Sequence, residues 1–143
     1  MQIRLNNEAE TLEFAKQFST RLKPGDVVAL SGELGAGKSV LARAVMRALG
    51  VEDKALPSPT YTIIQEYEGK ACRIAHMDWY RLEGVEELEA IGVCEYFQKP
   101  WICLIEWPER ATELLSDETI RIKMQCMEGS PEARMIETDF VQR

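Results

Sequence analysis

The sequence predicts an α/β fold with a mixed sheet, parallel at its core and antiparallel at its hairpins. Two short apolar runs, 27–30 and 101–105, have the continuous hydrophobicity of strands buried on both faces. The first leads through a glycine-rich loop into a segment of helical periodicity. Segments rich in β-branched and aromatic residues flank two turns, at 68–70 and 129–131, which indicates two hairpins. Strands and helices in this order favour helices packed against a sheet.

The first half of the chain contains two predicted helices. Asn7 is a suitable N-cap for a helix over residues 8–22, on which Leu12, Ala15, Phe18 and Leu22 are spaced to share one face. The turn at 23–26 leads into the strand at 27–30. The second helix is predicted over 38–49, and Gly50 ends it.

The second half continues with a hairpin around 68–70 and an acidic helix over 84–98, with a break at Gly92. After the strand at 101–105, Pro108 begins a helical piece that extends to residue 115. Strands at 119–127 and 132–138 form the second predicted hairpin. The 143 residues carry no repeat or linker, so we expect a single domain, 1–143.

Composition excludes several classes of protein. No apolar stretch is long enough to span a membrane, and the N-terminus lacks the apolar core of a signal peptide. The four cysteines are scattered without a Cys-x-x-Cys pair, which favours reduced thiols in a cytoplasmic protein over a zinc or disulfide framework. The net charge of −7 disfavours extended nucleic-acid binding as the main activity.

Residues 32–39, GELGAGKS, match the phosphate-binding P-loop pattern and lie between a predicted buried strand and a helix. Gly35 and Gly37 allow the backbone torsions that turn successive N–H groups inward. Lys38 would reach the β- and γ-phosphates, and the Ser39 hydroxyl would bind Mg²⁺. This motif and its context predict a three-layer P-loop NTPase fold.

A phosphate site of this type also requires a carboxylate on the metal side, at the end of a neighbouring strand. Asp78 and Glu106 each follow an apolar segment and would lie at the carboxyl edge of the sheet. The residues alone leave open which of the two faces the metal. The chain lacks the Asn-Lys-x-Asp loop that reads guanine, so adenine is preferred by elimination.

Five stretches together resemble the TsaE family of small bacterial ATPases, from Glu10-Thr11 to Arg134. In order, they are GELGAGKS, PSPTYT, HMDWYRL, EELEAIGVCEYF and ICLIEWPER. The resemblance implies participation in forming N6-threonylcarbamoyladenosine at position 37 of tRNAs that read ANN codons. It also implies partners, the TsaD and TsaB proteins. The transfer chemistry belongs to TsaD, and tRNA would be met only through that complex.

The resemblance further implies roles for individual residues, with ATP and Mg²⁺ as the bound groups. Ser39 and Glu106 would be the Mg²⁺ ligands, and Asp78 would support hydrolysis, directly or through a water. Thr11 and Arg134 match positions near the base and sugar of the nucleotide. The residues that would wrap the phosphates are Gly35, Ala36, Gly37, Lys38, Ser39 and Val40.

The segment 57–62, PSPTYT, resembles a switch. Its two prolines disfavour helix at the residues before them and hold the segment extended. The candidate switch residues are Ser58, Thr60 and Thr62, and the hydroxyls of the last two alternate onto one face where they would sense the γ-phosphate or its metal. The alternative is that the segment is simply the first strand of the hairpin.

Three hypotheses of function follow. The first is a slow ATPase coupled to a partner, in which Arg81, Arg110 or the partner supplies transition-state charge. The alternatives are a small-molecule kinase and a nucleotide-gated binding module with negligible catalysis.

Two further residues near the predicted site have open roles. Trp107 packs either at the nucleotide edge or in the core. His76 shares a strand face with Asp78, where structural hydrogen bonding is favoured over catalysis.

Overall fold

The structure is a computed structural model that describes residues 1–33, 35–53, 56 and 63–138. The described residues form seven strands and three α-helices, joined in places by short 3-10 helices. The strands are β1 (Gln2–Leu5), β2 (Val27–Gly32), β3 (Ile64–Glu68), β4 (Arg73–Asp78), β5 (Trp101–Glu106), β6 (Ile120–Met127) and β7 (Ser130–Thr138). The α-helices are α1 (Glu8–Ser19), α2 (Lys38–Ala48) and α3 (Val85–Ala90), and the 3-10 helices span Val93–Phe97, Pro108–Arg110 and Thr112–Leu114.

All seven strands belong to one sheet in the order β1-β7-β6-β2-β5-β4-β3. The pairs β6–β2, β2–β5 and β5–β4 are parallel, whereas β1–β7, β7–β6 and β4–β3 are antiparallel. The predicted mixed sheet, with a parallel core and antiparallel hairpins, is therefore confirmed. Because β2, β5 and β4 run in the same direction, their carboxyl ends meet at one edge of the sheet.

Two apolar clusters cover the two faces of this sheet. On β5, Ile102 and Leu104 pack towards α1 and α2, while Cys103 and Ile105 pack towards α3 and the 3-10 helices. This alternation follows from the two-residue period of a strand. The result is the predicted arrangement in three layers, with a central sheet and a layer of helices on each side.

Several predicted boundaries were wrong. Helix α1 ends at Ser19 instead of residue 22, and Leu12 is 49% exposed because Thr11, Ala15 and Phe18 form the inner face instead. The strand β1 was not predicted: it has only four residues and is held by antiparallel pairing with β7.

The C-terminal half shows similar shifts. The second hairpin turns at residues 128–129, because Met127 already pairs with Ser130, which the sequence placed in the turn. The predicted acidic helix is shorter than 84–98: α3 ends at Ala90, and the predicted break occurs at Gly92, with φ 70°. The helical piece after Pro108 is two separate 3-10 turns. Within the described residues, no helix has both the length and the apolar character that a membrane span requires.

Candidate functional site

The glycine-rich loop connects β2 to α2 at the carboxyl edge of the sheet. Gly37 caps α2 with a left-handed φ of 96°, a conformation that glycine adopts without strain. Gly32 has φ 144°, and a Cβ atom there would lie 2.4 Å from the backbone oxygen of Met124. The close approach of β6 therefore requires glycine at position 32. The loop directs the N-terminus of α2, with its partial positive charge, towards the cleft.

Lys38 begins α2 and is only 5% exposed. Its ammonium group donates a hydrogen bond to the Gly32 carbonyl and lies 3.4 Å from the centroid of the Trp107 ring. Burial lowers the pKa of Lys38, and the carboxylates of Glu106, Glu109 and Asp78 partly oppose this effect. The loop thus holds a desolvated cation, which an incoming anion would meet at reduced solvation cost.

Glu106 ends β5, next to β2, and is 3% exposed. Its Oε1 accepts a hydrogen bond from the Ser39 hydroxyl at 2.9 Å, and its Oε2 lies 2.7 Å from Nε2 of His76. The hydroxyl and the carboxylate predicted to share a metal are therefore adjacent. Together they offer the hard oxygen ligands that Mg²⁺ prefers.

Asp78 ends β4 and lies in register with Glu106 on β5. Its Oδ1 accepts a hydrogen bond from the Tyr80 backbone N–H at 2.9 Å. Burial raises the pKa of Asp78, and the charge of Glu106 raises it further, while the Tyr80 hydrogen bond, His76 and Lys38 partly oppose the shift. The two strand-end carboxylates thus meet at one edge, with Glu106 hydrogen-bonded to Ser39.

A cavity of about 460 Å³ opens over these groups. It is lined by the loop from Gly35 to Val40, by Asp78 and Glu106, and by Tyr80, Arg81, Trp107 and Arg134. A smaller hollow of about 190 Å³ adjoins it, lined by Glu8, Thr11, Gly37, Val40, Met124, Pro131, Glu132 and Arg134. Because the two share three lining residues, they form one cleft with a larger and a smaller end. The larger end has the size of many small-ligand sites.

Arg134 lies between the two ends of the cleft. Its Nε donates to the Ala36 carbonyl at 3.0 Å, and one terminal nitrogen donates to the Gly35 carbonyl at 3.3 Å. The other terminal nitrogen donates to the carbonyls of Pro131 and Ala133. The guanidinium therefore binds the backbone of the glycine-rich loop itself, a contact that the sequence did not predict.

Thr11 is buried on α1 and lines the smaller end, where its hydroxyl donates to the Asn7 carbonyl at 3.4 Å. Arg134, the other residue predicted to lie near the base and sugar, lines the same hollow. The two residues therefore line one hollow, which the glycine-rich loop also borders through Gly37. The predicted switch residues Ser58, Thr60 and Thr62 lie outside the described residues.

Aromatic side chains form one wall of the larger end. Trp107 adopts φ 61°, rare for a bulky residue, and its ring centroid lies 4.9 Å from that of Tyr80. The guanidinium carbon of Arg110 lies 5.5 Å from the Tyr80 ring. The sequence left Trp107 open between the nucleotide edge and the core, and the structure places it at the cleft. Tyr80 was not among the predicted site residues, although it lies between Asp78 and Arg81 in the chain.

These features define an α/β protein of the P-loop type. The sequence model of the family described as "Threonylcarbamoyl adenosine biosynthesis protein TsaE" matches residues 5–136. The chain belongs to the TsaE family, and the resemblance inferred from its motifs is confirmed.

Two relatives and one solved structure agree with the assignment to this family. The chain is 40% identical to the tRNA threonylcarbamoyladenosine biosynthesis protein TsaE of Bacillus subtilis, a match that covers 81% of this chain and 72% of the relative. It is 37% identical to the protein of the same name from Haemophilus influenzae, over 91% of this chain and 85% of the relative. The crystal structure of Bacillus subtilis YdiB is similar, with a TM-score of 0.78 and 32% identity, covering 96% of this chain and 83% of that one.

Proposed function

We propose that this protein binds ATP with Mg²⁺ in the cleft and hydrolyses it slowly. This activity serves the formation of N6-threonylcarbamoyladenosine at position 37 of tRNAs that read ANN codons. The observation that carries the proposal is the juxtaposition of Lys38, Ser39 and Glu106 beneath a cavity lined by the glycine-rich loop. A buried cation and a helix N-terminus on one side suit a polyphosphate, and a hydroxyl–carboxylate pair on the other suits its counter-cation.

The residues present fit a magnesium ion. The Ser39 hydroxyl and the Glu106 carboxylate provide oxygen ligands, and the phosphates of the nucleotide would supply others, as is usual for Mg²⁺. Among the described residues, no group of three or more His, Cys, Asp or Glu side chains could enclose a metal by itself. When bound, the ion would neutralise charge on the phosphate oxygens.

Asp78 is the residue best placed to act on water. The raised pKa of its carboxyl group makes it a better-matched proton acceptor near neutral pH than an ordinary aspartate. Arg81 lines the same cavity and carries the charge that would stabilise the transferring phosphoryl group. We expect slow turnover in isolation because full alignment of water and cation would need a partner.

The partner we propose is the TsaD–TsaB complex, in which TsaD performs the transfer to tRNA. The relatives from Bacillus subtilis and Haemophilus influenzae are both named tRNA threonylcarbamoyladenosine biosynthesis proteins. Its net charge of −7 disfavours direct binding to the phosphate backbone of tRNA. This charge is compatible with contact to tRNA only through the complex.

Titration calorimetry with ATP tests the nucleotide part of the proposal. We expect saturable binding that strengthens when Mg²⁺ is added, since Ser39 and Glu106 would share the ion with the phosphates. A folded sample that gives no heat and no saturation contradicts the proposal.

Reconstitution tests the biological part. TsaD, TsaB and an unmodified ANN-reading tRNA should accumulate the modified nucleoside only when this chain and ATP are both added. Asp78→Asn should bind ATP but fail to support accumulation. Full accumulation with this variant would favour a nucleotide-gated module instead, and transfer of labelled phosphate to a metabolite would favour a kinase.

A further inference from the structure

Glu106 is held by a second residue, His76, which lies behind it and does not line the cleft. The His76 side chain is fully buried, and its Nε2 lies 2.7 Å from Oε2 of Glu106. The other carboxylate oxygen, Oε1, accepts the Ser39 hydroxyl. One oxygen of the Glu106 carboxylate therefore contacts the buried imidazole of His76, and the other contacts the Ser39 hydroxyl at the cleft.

The register of the sheet fixes this contact. On the parallel pair β4–β5, His76 lies opposite Leu104, and Asp78 lies opposite Glu106. His76 and Asp78 share a face of β4 because they are two residues apart. The imidazole thus approaches Glu106 diagonally across two paired strands, and its position is set by the backbone of the sheet.

The hydrogen-bonding partners indicate where the imidazole carries its proton. An ionised carboxylate only accepts hydrogen bonds, so Nε2 must be the donor to Glu106. The other ring nitrogen, Nδ1, is buried and has no hydrogen-bond partner among the described residues. An unpaired lone pair is tolerated better than an unpaired buried N–H, so a proton on Nε2 fits the environments of both ring nitrogens.

We propose that His76 is a positioning residue for the magnesium site. By holding Oε2, it turns Oε1 of Glu106 towards Ser39, where the two oxygens would bind the ion together. His76 itself touches neither the metal nor the nucleotide. The inference rests on the proposed function, and it follows the general rule that hydrogen bonds behind a metal ligand orient that ligand.

Three variants test the role of His76. His76→Leu removes the donor, His76→Gln keeps an N–H near the place of Nε2, and Ile74→Val is a matched control on the same face of β4, also fully buried. The measurement is the Mg²⁺ concentration that half-saturates binding of a non-hydrolysable ATP analogue. We expect a rise of about tenfold for His76→Leu, recovery of most of the loss in His76→Gln, and no change in Ile74→Val. Without Mg²⁺, all should bind the analogue equally.

A second readout uses the free protein and no nucleotide. The chain contains one histidine, so ¹⁵N labelling of histidine gives signals from this imidazole alone. We expect the proton on Nε2 and a change in its resonance in Glu106→Ala.

Several results would overturn the proposal. They are an unchanged Mg²⁺ requirement in His76→Leu, an Nε2 that carries no proton, or an imidazole signal insensitive to Glu106→Ala. If His76→Leu does not fold, the imidazole signals of the wild-type protein and of Glu106→Ala still show whether Nε2 donates to Glu106. The Mg²⁺ requirement of His76→Gln then tests the positioning role. If the wild-type protein binds no nucleotide, the proposed function fails, and the same signals still report whether His76 holds Glu106.

Discussion

The end of the cleft that contains Lys38 and the end that contains Thr11 are built from different parts of the sheet. At the larger end, the carboxyl ends of β2, β5 and β4 and the first turn of α2 bring the buried charges of Lys38 and Glu106 together. The partly buried Ser39 and Asp78 lie beside them. At the smaller end, α1 and the hairpin of β6 and β7 form a hollow with Glu132 exposed at its margin.

This difference predicts how substitutions will act. At the larger end Lys38 and Glu106 are charged and almost fully buried, so the loss of either removes a strong electrostatic interaction. At the smaller end the buried polar group is Thr11, an uncharged hydroxyl, and hydrogen bonds between uncharged groups contribute less. Effects on ATP should therefore fall from Lys38 towards Thr11.

The largest expected effect is that of Lys38→Ala. Losing a preorganised cation at the phosphates should lower hydrolysis by about 1000-fold and ATP affinity by roughly 10- to 100-fold. Steady-state kinetics and calorimetry provide both values. Thr11→Val, at the other end, should weaken affinity by only about threefold. The control Lys123→Ala removes one exposed charge on β6 away from the cleft and should leave both quantities unchanged. Equal losses at Lys38 and Thr11 would refute the comparison.

The second effect in size is that of Asp78→Asn. The substitution keeps the oxygen that accepts the Tyr80 N–H but removes the proton acceptor, so kcat should fall by about 100-fold. Affinity for ATP should change little, because the residue is proposed to act on water. A variant that loses affinity but keeps kcat would show that Asp78 serves binding instead.

Arg134 joins the two ends and should show an intermediate effect. Arg134→Lys keeps the charge but cannot reproduce the fork that contacts the carbonyls of Gly35 and Ala36. We expect about a tenfold loss of ATP affinity, of the size of one hydrogen bond from a charged donor. Calorimetry measures it, and Arg121→Lys, exposed on β6, is the matched control. Wild-type affinity in Arg134→Lys would mean that charge alone suffices.

The smallest expected effect concerns stability and pH. Because the pKa of Asp78 is raised in the folded protein, its ionised form disfavours folding, and its contribution to stability is lost as pH rises through that pKa. Asp78→Asn should therefore raise Tm by a few degrees at neutral pH, and the gain should disappear in acid. Glu132→Gln, exposed at the other end, should leave Tm unchanged. Thermal unfolding at several pH values provides the test, and a lower Tm for Asp78→Asn at neutral pH contradicts it.

The glycine-rich loop at the larger end could be located from the sequence because it is a local feature. Such a loop is specified by consecutive residues, so the spacing of Gly32, Lys38 and Ser39 was sufficient to place it between β2 and α2. The strand-end positions of Asp78 and Glu106 were also readable. Their pairing depended on the order β2-β5-β4, which a single sequence does not reveal.

The remaining contacts depend on tertiary structure. His76 was expected to form a structural hydrogen bond, but its partner depends on the register of β4 against β5. The contacts of Arg134 with the glycine-rich loop join residues 98 and 99 positions apart in the chain. The strand β1 was missed since its four residues are stabilised by pairing with β7 and have no strong pattern of their own.

The stacking of Lys38 on Trp107 gives the protein an optical signal of its own. Trp79 and Trp101 are buried in the core, whereas Trp107 lies at the cleft with an ammonium group over its ring. We expect a ligand that moves this ammonium group to alter the electric field across the indole and to shift its emission. Intrinsic fluorescence should therefore follow occupancy of the site in real time, without a dye or a label.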